Sequence, residues 1–299
     1  PPPAFELLQT LAPEACAADP NQAAALVAAV GNLPLAVELM GGYLSAPENS
    51  TFADLQQEAL TAMTDPHQRL TLASERLGAA GQLVSLAATV ALSLSGLAPA
   101  VQQAFYALGA LAAKPATFDR AAAQAVTGAD GRVLALLIAR HLLALEANQQ
   151  LALHQVIADV ARTQTPPEAV TRQRDYYLAL VNEDREDWQR IEAIYPQISF
   201  AWAQLPTTPM LDTLLPLVWA LRIFQERRGL WQDYLTWASQ ALALAQAEGS
   251  NRNAATLLNN LGSVYDDLGE KQEALAYYNQ ALPLYRQVGD KGGEATTLN

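Results

Sequence analysis

Residues 249–259 read GSNRNAATLLN, and forty positions later residues 289–299 read GDKGGEATTLN. A chain that copies itself at a fixed offset has to fold into units that copy one another, which constrains the architecture more than any bulk property. Between the copies stand Leu261, Gly262, Tyr265, Gly269, Ala274, Tyr278 and Ala281. Their spacing predicts two amphipathic helices around a tight turn. Gly262 and Ala274 lack the bulk that would hold the helices apart, while Leu261, Tyr265, Tyr278 and Leu282 fill the space between. Gly269 supplies the permissive backbone for the turn. The offset carries one unit back, since Leu221, Gly229, Ala241 and Leu242 precede Leu261, Gly269, Ala281 and Leu282 by forty residues. Arg222 and Tyr234 then fall where small residues are expected. That predicts a degenerate unit capping the array.

The order and spacing of these residues resemble the tetratricopeptide repeat, in a 40-residue form. The resemblance implies a helical solenoid whose groove is lined by the first helix of each unit. In the unit with the clear pattern the lining positions are Thr256, Asn259, Ser263, Asp266 and Asp267. They are polar and acidic, with Asn259 placed to clamp a peptide backbone, so a basic or neutral protein or peptide ligand is expected there. The plainer alternative is a solvated helix face. The last unit stops after half a turn at Asn299, and the chain opens on Pro1-Pro2-Pro3 without an initiator Met. Both features lead us to expect a piece of a longer protein.

Ahead of the repeats the chain also reads as mainly helical. Helices are expected over 5–11, 21–30, 34–44 and 52–62, with a break at Pro66 and a further segment at 69–77. Asp19-Pro20-Asn21 and Asn32-Leu33-Pro34 are start signals, because proline at the first helical turn gives up no hydrogen bond. Gly41-Gly42 would let one helix pack closely or end. Residues 1–80 therefore read as a helical bundle. The stretch 77–113 carries no charge. Ser93, Ser95, Gly96, Pro99, Gln102 and Gln103 interrupt it, which favours a buried helical hairpin (84–94 and 99–111) over a membrane span. Helices at 118–126 and 131–139 follow, then strand, turn and strand at 141–146, 147–150 and 151–153, and a helix at 154–162. This order is the winged-helix pattern, over 81–165.

After a linker at 163–167, residues 166–208 read as helices at 168–182, 188–194 and 196–204. Tyr176, Tyr177, Trp188, Tyr195, Phe200 and Trp202 would join this segment to its neighbours. A break at Pro206–Pro209 precedes the repeats, which occupy 209–299. The single cysteine, Cys16, excludes an internal disulfide and suits a reducing, cytoplasmic setting.

Three marks now stand in order: Gly31-Asn32-Leu33-Pro34-Leu35-Ala36, a winged helix ending in Leu153-His154-Gln155, and the repeats. Together they resemble the rear part of a STAND-type signalling ATPase with an NB-ARC module. In that family a P-loop domain comes first, then a helical domain with a Gly-Leu-Pro-Leu signature, then a winged helix with Met-His-Asp. The resemblance implies that Pro34 packs against bound nucleotide and that His154 contacts the β-phosphate of ADP and holds the closed form. It also implies ADP or ATP with Mg as cofactor of the full-length protein, and a nucleotide-binding domain in cis as partner. Asn32 replaces a family glycine, Leu153 replaces Met, and Gln155 replaces Asp, whose carboxylate would have fixed the imidazole. Without the family pattern, Pro34 reads as a helix-start proline and His154 as a partly buried helix-start residue.

The 299 residues contain no G-x-x-x-x-G-K-[ST] and no Gly-Lys pair. The backbone N–H groups and lysine of that loop supply most phosphate binding, so no nucleotide hydrolysis and no bound cofactor are expected of this chain alone. His67 and His141 lack ligand-spaced partners, and neither a metal cluster nor a nucleophile elbow is present in the sequence. The net charge of −12 argues against a broad nucleic-acid surface. Lys114, Arg120, Arg132, Arg140 and Arg162 nearly balance Asp119, Asp130, Glu146 and Asp159, so the winged helix offers no cationic face for a DNA groove. A helical-repeat scaffold without a nucleotide role and a winged-helix transcription regulator are the alternatives.

Overall fold

The computed structural model of the chain describes residues 3–45, 52–64, 81–205 and 211–298. It is mainly α-helical with one small sheet, and ends in helical repeats. The segment at 69–77, read as irregular or helical, and the breaks at Pro66 and 206–209 lie outside the described residues. Two compact units are present: Pro1–Tyr176 with Pro196–Gln204, and Tyr177–Tyr195 with Leu205–Asn299.

The first unit opens with α1 (Pro3–Leu11), α2 (Pro13–Ala18), α3 (Pro20–Ala29), α4 (Pro34–Leu44) and α5 (Phe52–Thr64). Prolines start four of these five helices, as expected where the missing N–H has no intrahelical partner. Asp19 caps α3, its carboxylate accepting from the N–H groups of Asn21 and Gln22 at 3.0 Å. Leu8, Leu26, Val37, Met40, Leu44 and Met63 meet in one dry core. That core also takes Ala88 and Leu92 from α6 (Gly81–Ser95). Gly42 lies against the Arg140 backbone, where an added Cβ would come within 2.9 Å of the Arg140 carbonyl carbon. The glycine pair thus serves close packing and does not end α4.

α6 and α7 (Pro99–Ala107) form the hairpin read from the uncharged stretch, with a 3-10 turn at Leu108–Ala110 closing it early. Among the described residues no single helix is long and apolar enough to cross a membrane. α8 (Arg120–Thr127) and α9 (Gly131–Ala139) pass on length and composition only as a pair, and they bend by 106° at their junction. Next come β1 (Ala144–Leu145) and β2 (Leu151–Ala152), paired antiparallel with Ala144 opposite Ala152. The first strand starts later than the sequence suggests: His141 adopts a left-handed backbone, φ 56°, and the N–H groups of Leu142 and Leu143 still bond to the Leu137 carbonyl at the end of α9. α10 (Gln155–Arg162) and α11 (Pro167–Glu183) follow.

The expected break between 194 and 196 is absent. Residues on both sides form one helix, α12 (Trp188–Ala203), with Pro196 inside it. Proline removes one helical hydrogen bond, and firm anchoring of the flanking turns outweighs that loss. Within the first unit, Gln197 accepts from the Ala112 N–H at 2.8 Å, Gln204 donates to the Ala110 carbonyl at 2.9 Å, and Arg162 lies over the Phe200 ring. Within the second, the Tyr195 hydroxyl donates to Asp233 at 2.7 Å and accepts from Gln225 at 2.9 Å. Trp188 stacks on Phe224, and Tyr195 on Trp237.

The rest of the second unit is α13 (Leu211–Arg227), α14 (Trp231–Ala247), α15 (Asn251–Asp267), α16 (Lys271–Gln287) and α17 (Lys291–Leu298). The four complete helices are each 17 residues long, and their starts are spaced by 20. Gly229, Gly249, Gly269 and Gly289 mark the turns, all with φ between 67° and 82°, a conformation that only glycine adopts without strain. The forty-residue unit is therefore two near-identical half-periods in backbone terms. Small residues make the helix contacts close. A Cβ added to Gly262 would lie 2.6 Å from Cε1 of Tyr278, and one added to Gly293 would run into the Tyr285 ring.

The degenerate unit solves the same problem with the bulk exchanged. Forty residues before Gly262 and Tyr278 stand Arg222 and Ala238; before Gly293 and Tyr285 stand Asn253 and Ala245. Tyr234, at the Ala274 position, is wholly buried, and Arg222 is held by Glu226 at 2.7 Å. Each pair keeps one large and one small partner, so helix spacing survives although no single residue does.

Candidate functional site

Two helix starts and one helix face carry the residues picked out in the sequence. Pro34 is the first residue of α4, exposed, behind a turn in which Gly31 and Asn32 both have positive φ. His154 is the N-cap of α10 and is also exposed. Its Nδ1 accepts the Val156 N–H at 3.3 Å. An Nδ1 used as acceptor places the proton of the neutral ring on Nε2, so the outward edge of the imidazole is a hydrogen-bond donor. Gln155 does not orient this ring; its amide donates to Asp159 one turn later, at 2.9 Å. Lys114 secures the loop before His154, pairing with Glu146 at 2.7 Å and bonding through its backbone N–H to the Leu153 carbonyl. Neither Pro34 nor His154 is buried in a core.

On α15 the face left open by packing is the one the repeat spacing picked out. Thr256, Asn259, Ser263 and Asp266 are partly exposed and Asp267 is exposed, while Leu257, Leu258, Leu261 and Val264 are buried. Asn259 accepts the hydroxyl of Thr297 at 2.9 Å through Oδ1. Its amide group is thereby turned so that Nδ2 is the remaining donor of the side chain. Thr256 donates to the Arg252 carbonyl at 3.1 Å, which fixes its rotamer on the same face. Asp266 is paired with Lys271 at 2.6 Å in an exposed bridge, so Asp267 is the stronger source of negative field. Ser263 hydrogen-bonds the Tyr278 phenol, whose pKa is raised by burial first and by Asp266 and Asp267 next.

The preceding first helix, α13, repeats this face with different chemistry. Pro216, Trp219 and Ile223 occupy the positions of Thr256, Asn259 and Ser263, and Ile223 is 57% exposed. Sequence reading passed over them, although the forty-residue offset that identified Leu221 leads to them directly. Among the described residues no three His, Cys, Asp or Glu side chains gather as metal ligands.

Comparison with known proteins bears on the repeats alone. Residues 223–287 match the family model of the tetratricopeptide repeat. Such repeats generally mediate protein–protein interaction through stacked helix pairs. No curated protein matches the sequence. A solved structure aligned with this chain is a Signal Transduction ATPase with Numerous Domains (STAND) protein with a tetratricopeptide repeat sensor, from Pyrococcus horikoshii. Identity is 12%, the TM-score is 0.31, and the alignment covers 98% of this chain and 55% of that one.

Proposed function

We propose that this chain is the regulatory and sensor portion of a STAND-type signal-transduction ATPase acting in the cytoplasm. The helical bundle and the winged helix, ending in Leu153-His154-Gln155, help to hold ADP on a P-loop domain in cis, while the repeats bind a protein or peptide. Binding at the repeats loosens that hold and allows ADP to exchange for ATP with Mg, which frees the protein to oligomerise. This is a shift between two populated arrangements. The single observation that supports the reading best is the state of His154. It is exposed, held at a helix start by its own Nδ1 cap, and left with an Nε2–H donor suited to a phosphate oxygen. With no phosphate-binding loop in its 299 residues, the chain alone is not a nucleotide hydrolase.

The test joins this chain to its P-loop domain and follows release of a fluorescent ADP analogue. His154→Asn keeps a helix-capping side chain but removes the ring, so it separates the two roles of His154. Release at least tenfold faster in His154→Asn than in wild type is expected. Equal rates would leave the repeats as an interaction module without a nucleotide link.

A further inference from the structure

Beyond the repeats and the two helix starts, the first unit contains a cavity of about 580 Å³. Its walls come from α7, from the 127–129 turn between α8 and α9, and from the start of α11. The size falls in the range of small-molecule sites. The floor is apolar, formed by Ala104, Ala107 and Val133, and the rim carries the Tyr106 phenol and the side-chain amides of Gln103 and Gln164.

The wall carries one cation, Arg172, and one carboxylate, Glu168. Arg172 donates through Nε to the Val126 carbonyl at 2.8 Å, which pins the guanidinium edge-on to the end of α8. That bond leaves both Nη groups, and among the described residues no carboxylate pairs with them. Glu168, one helical turn earlier on the same wall, is exposed and forms no ion pair with Arg172. A partly buried guanidinium whose orientation is fixed and whose forked donors are left over is matched by a carboxylate.

We propose that this cavity binds a small organic acid, its carboxylate on the Nη groups of Arg172 and a compact apolar body against Ala104, Ala107 and Val133. The apolar floor selects an organic acid over an inorganic anion, which would gain nothing from those side chains.

Phenylacetate is the probe and phenylacetamide its uncharged counterpart, each titrated into the 15N-labelled full chain. Saturable shifts are expected at the amides of Thr127, Gly128 and Ala129, with phenylacetamide at least tenfold weaker. Arg172→Gln should weaken the acid about tenfold and leave the amide unchanged, while Val133→Phe, which takes up part of the apolar surface without touching the charge, should weaken both. Acid and amide binding equally, shifts that never saturate, or indifference to Val133→Phe would overturn the proposal. So would tighter binding of N-acetyl-Gly-Phe than of phenylacetate, which would assign the cavity to a polypeptide C-terminus. Should Arg172→Gln fail to fold, judged by its circular dichroism, the acid–amide comparison and Val133→Phe still decide.

Discussion

Gly262→Ala should be destabilising in the natural chain and stabilising once Tyr278 is removed. The added methyl would stand 2.6 Å from Cε1 and 2.7 Å from Cδ1 of Tyr278, about 1 Å inside normal carbon–carbon contact. Overpacking of this kind costs roughly 1–3 kcal/mol. Against it, alanine is favoured over glycine inside a helix by up to about 1 kcal/mol. The net cost should be about 1 kcal/mol with the ring present, turning into a gain of up to about 1 kcal/mol in a Tyr278→Ala background. Native-state hydrogen exchange of peptides covering 251–287 reads this locally, a change of about 1.4 kcal/mol appearing as a tenfold change in protection. The two backgrounds should give opposite signs, a coupling of about 1–3 kcal/mol between contacting residues. Gly262→Ala shifting protection equally in both would refute the close-approach argument. The exchanged pair Arg222/Ala238 suggests a sharper version, in which Gly262→Arg combined with Tyr278→Ala is better tolerated than Gly262→Arg alone.

Two more outcomes follow from buried groups. Burial raises the Cys16 thiol pKa, so less thiolate is present at neutral pH and native chain should react with an aromatic disulfide reagent far more slowly than urea-unfolded chain; equal rates would contradict the α2 packing. Burial also raises the phenol pKa of Tyr234, and burial followed by the Glu58 charge raises that of Tyr43. Their folded pKa lies above the unfolded value near 10, so their contribution to stability is full below about pH 10 and is lost as pH rises beyond it. The urea midpoint should therefore fall above pH 10, and less steeply in Tyr234→Phe; a flat midpoint to pH 11 would contradict the burial.

How much of this was legible depends on the distance between cause and effect along the chain. The repeat was legible because its cause is local: Gly269 and Gly289 end helices by backbone conformation, and Gly262 faces Tyr278 within one helix pair. The twenty-residue half-period was overlooked because the second helices share the turn glycines but not the side chains. α2 was missed because six residues between two prolines give too short a window for periodicity. α12 was misdivided at Pro196, since the bonds that anchor the turns on either side of it come from Ala112 and Asp233, far away in sequence. At the candidate sites, Asn259 and His154 could be picked by position. The Thr297 bond to Asn259 and the Nδ1 cap of His154 come from folding, and it is these that decide which donor each side chain has left.

The exchange of bulk between equivalent positions bears on how such an array can change over generations. A constant half-period makes loss of one forty-residue unit harmless to the backbone, because every turn glycine meets another turn. Deletion of 231–270 would nevertheless bring Arg222 opposite Tyr278 and leave Ala274 where Tyr234 filled the space. One contact would be crowded and the other hollow. The units are thus interchangeable in length but not in neighbour, and the large–small pairings work as an address that fixes the order of the repeats.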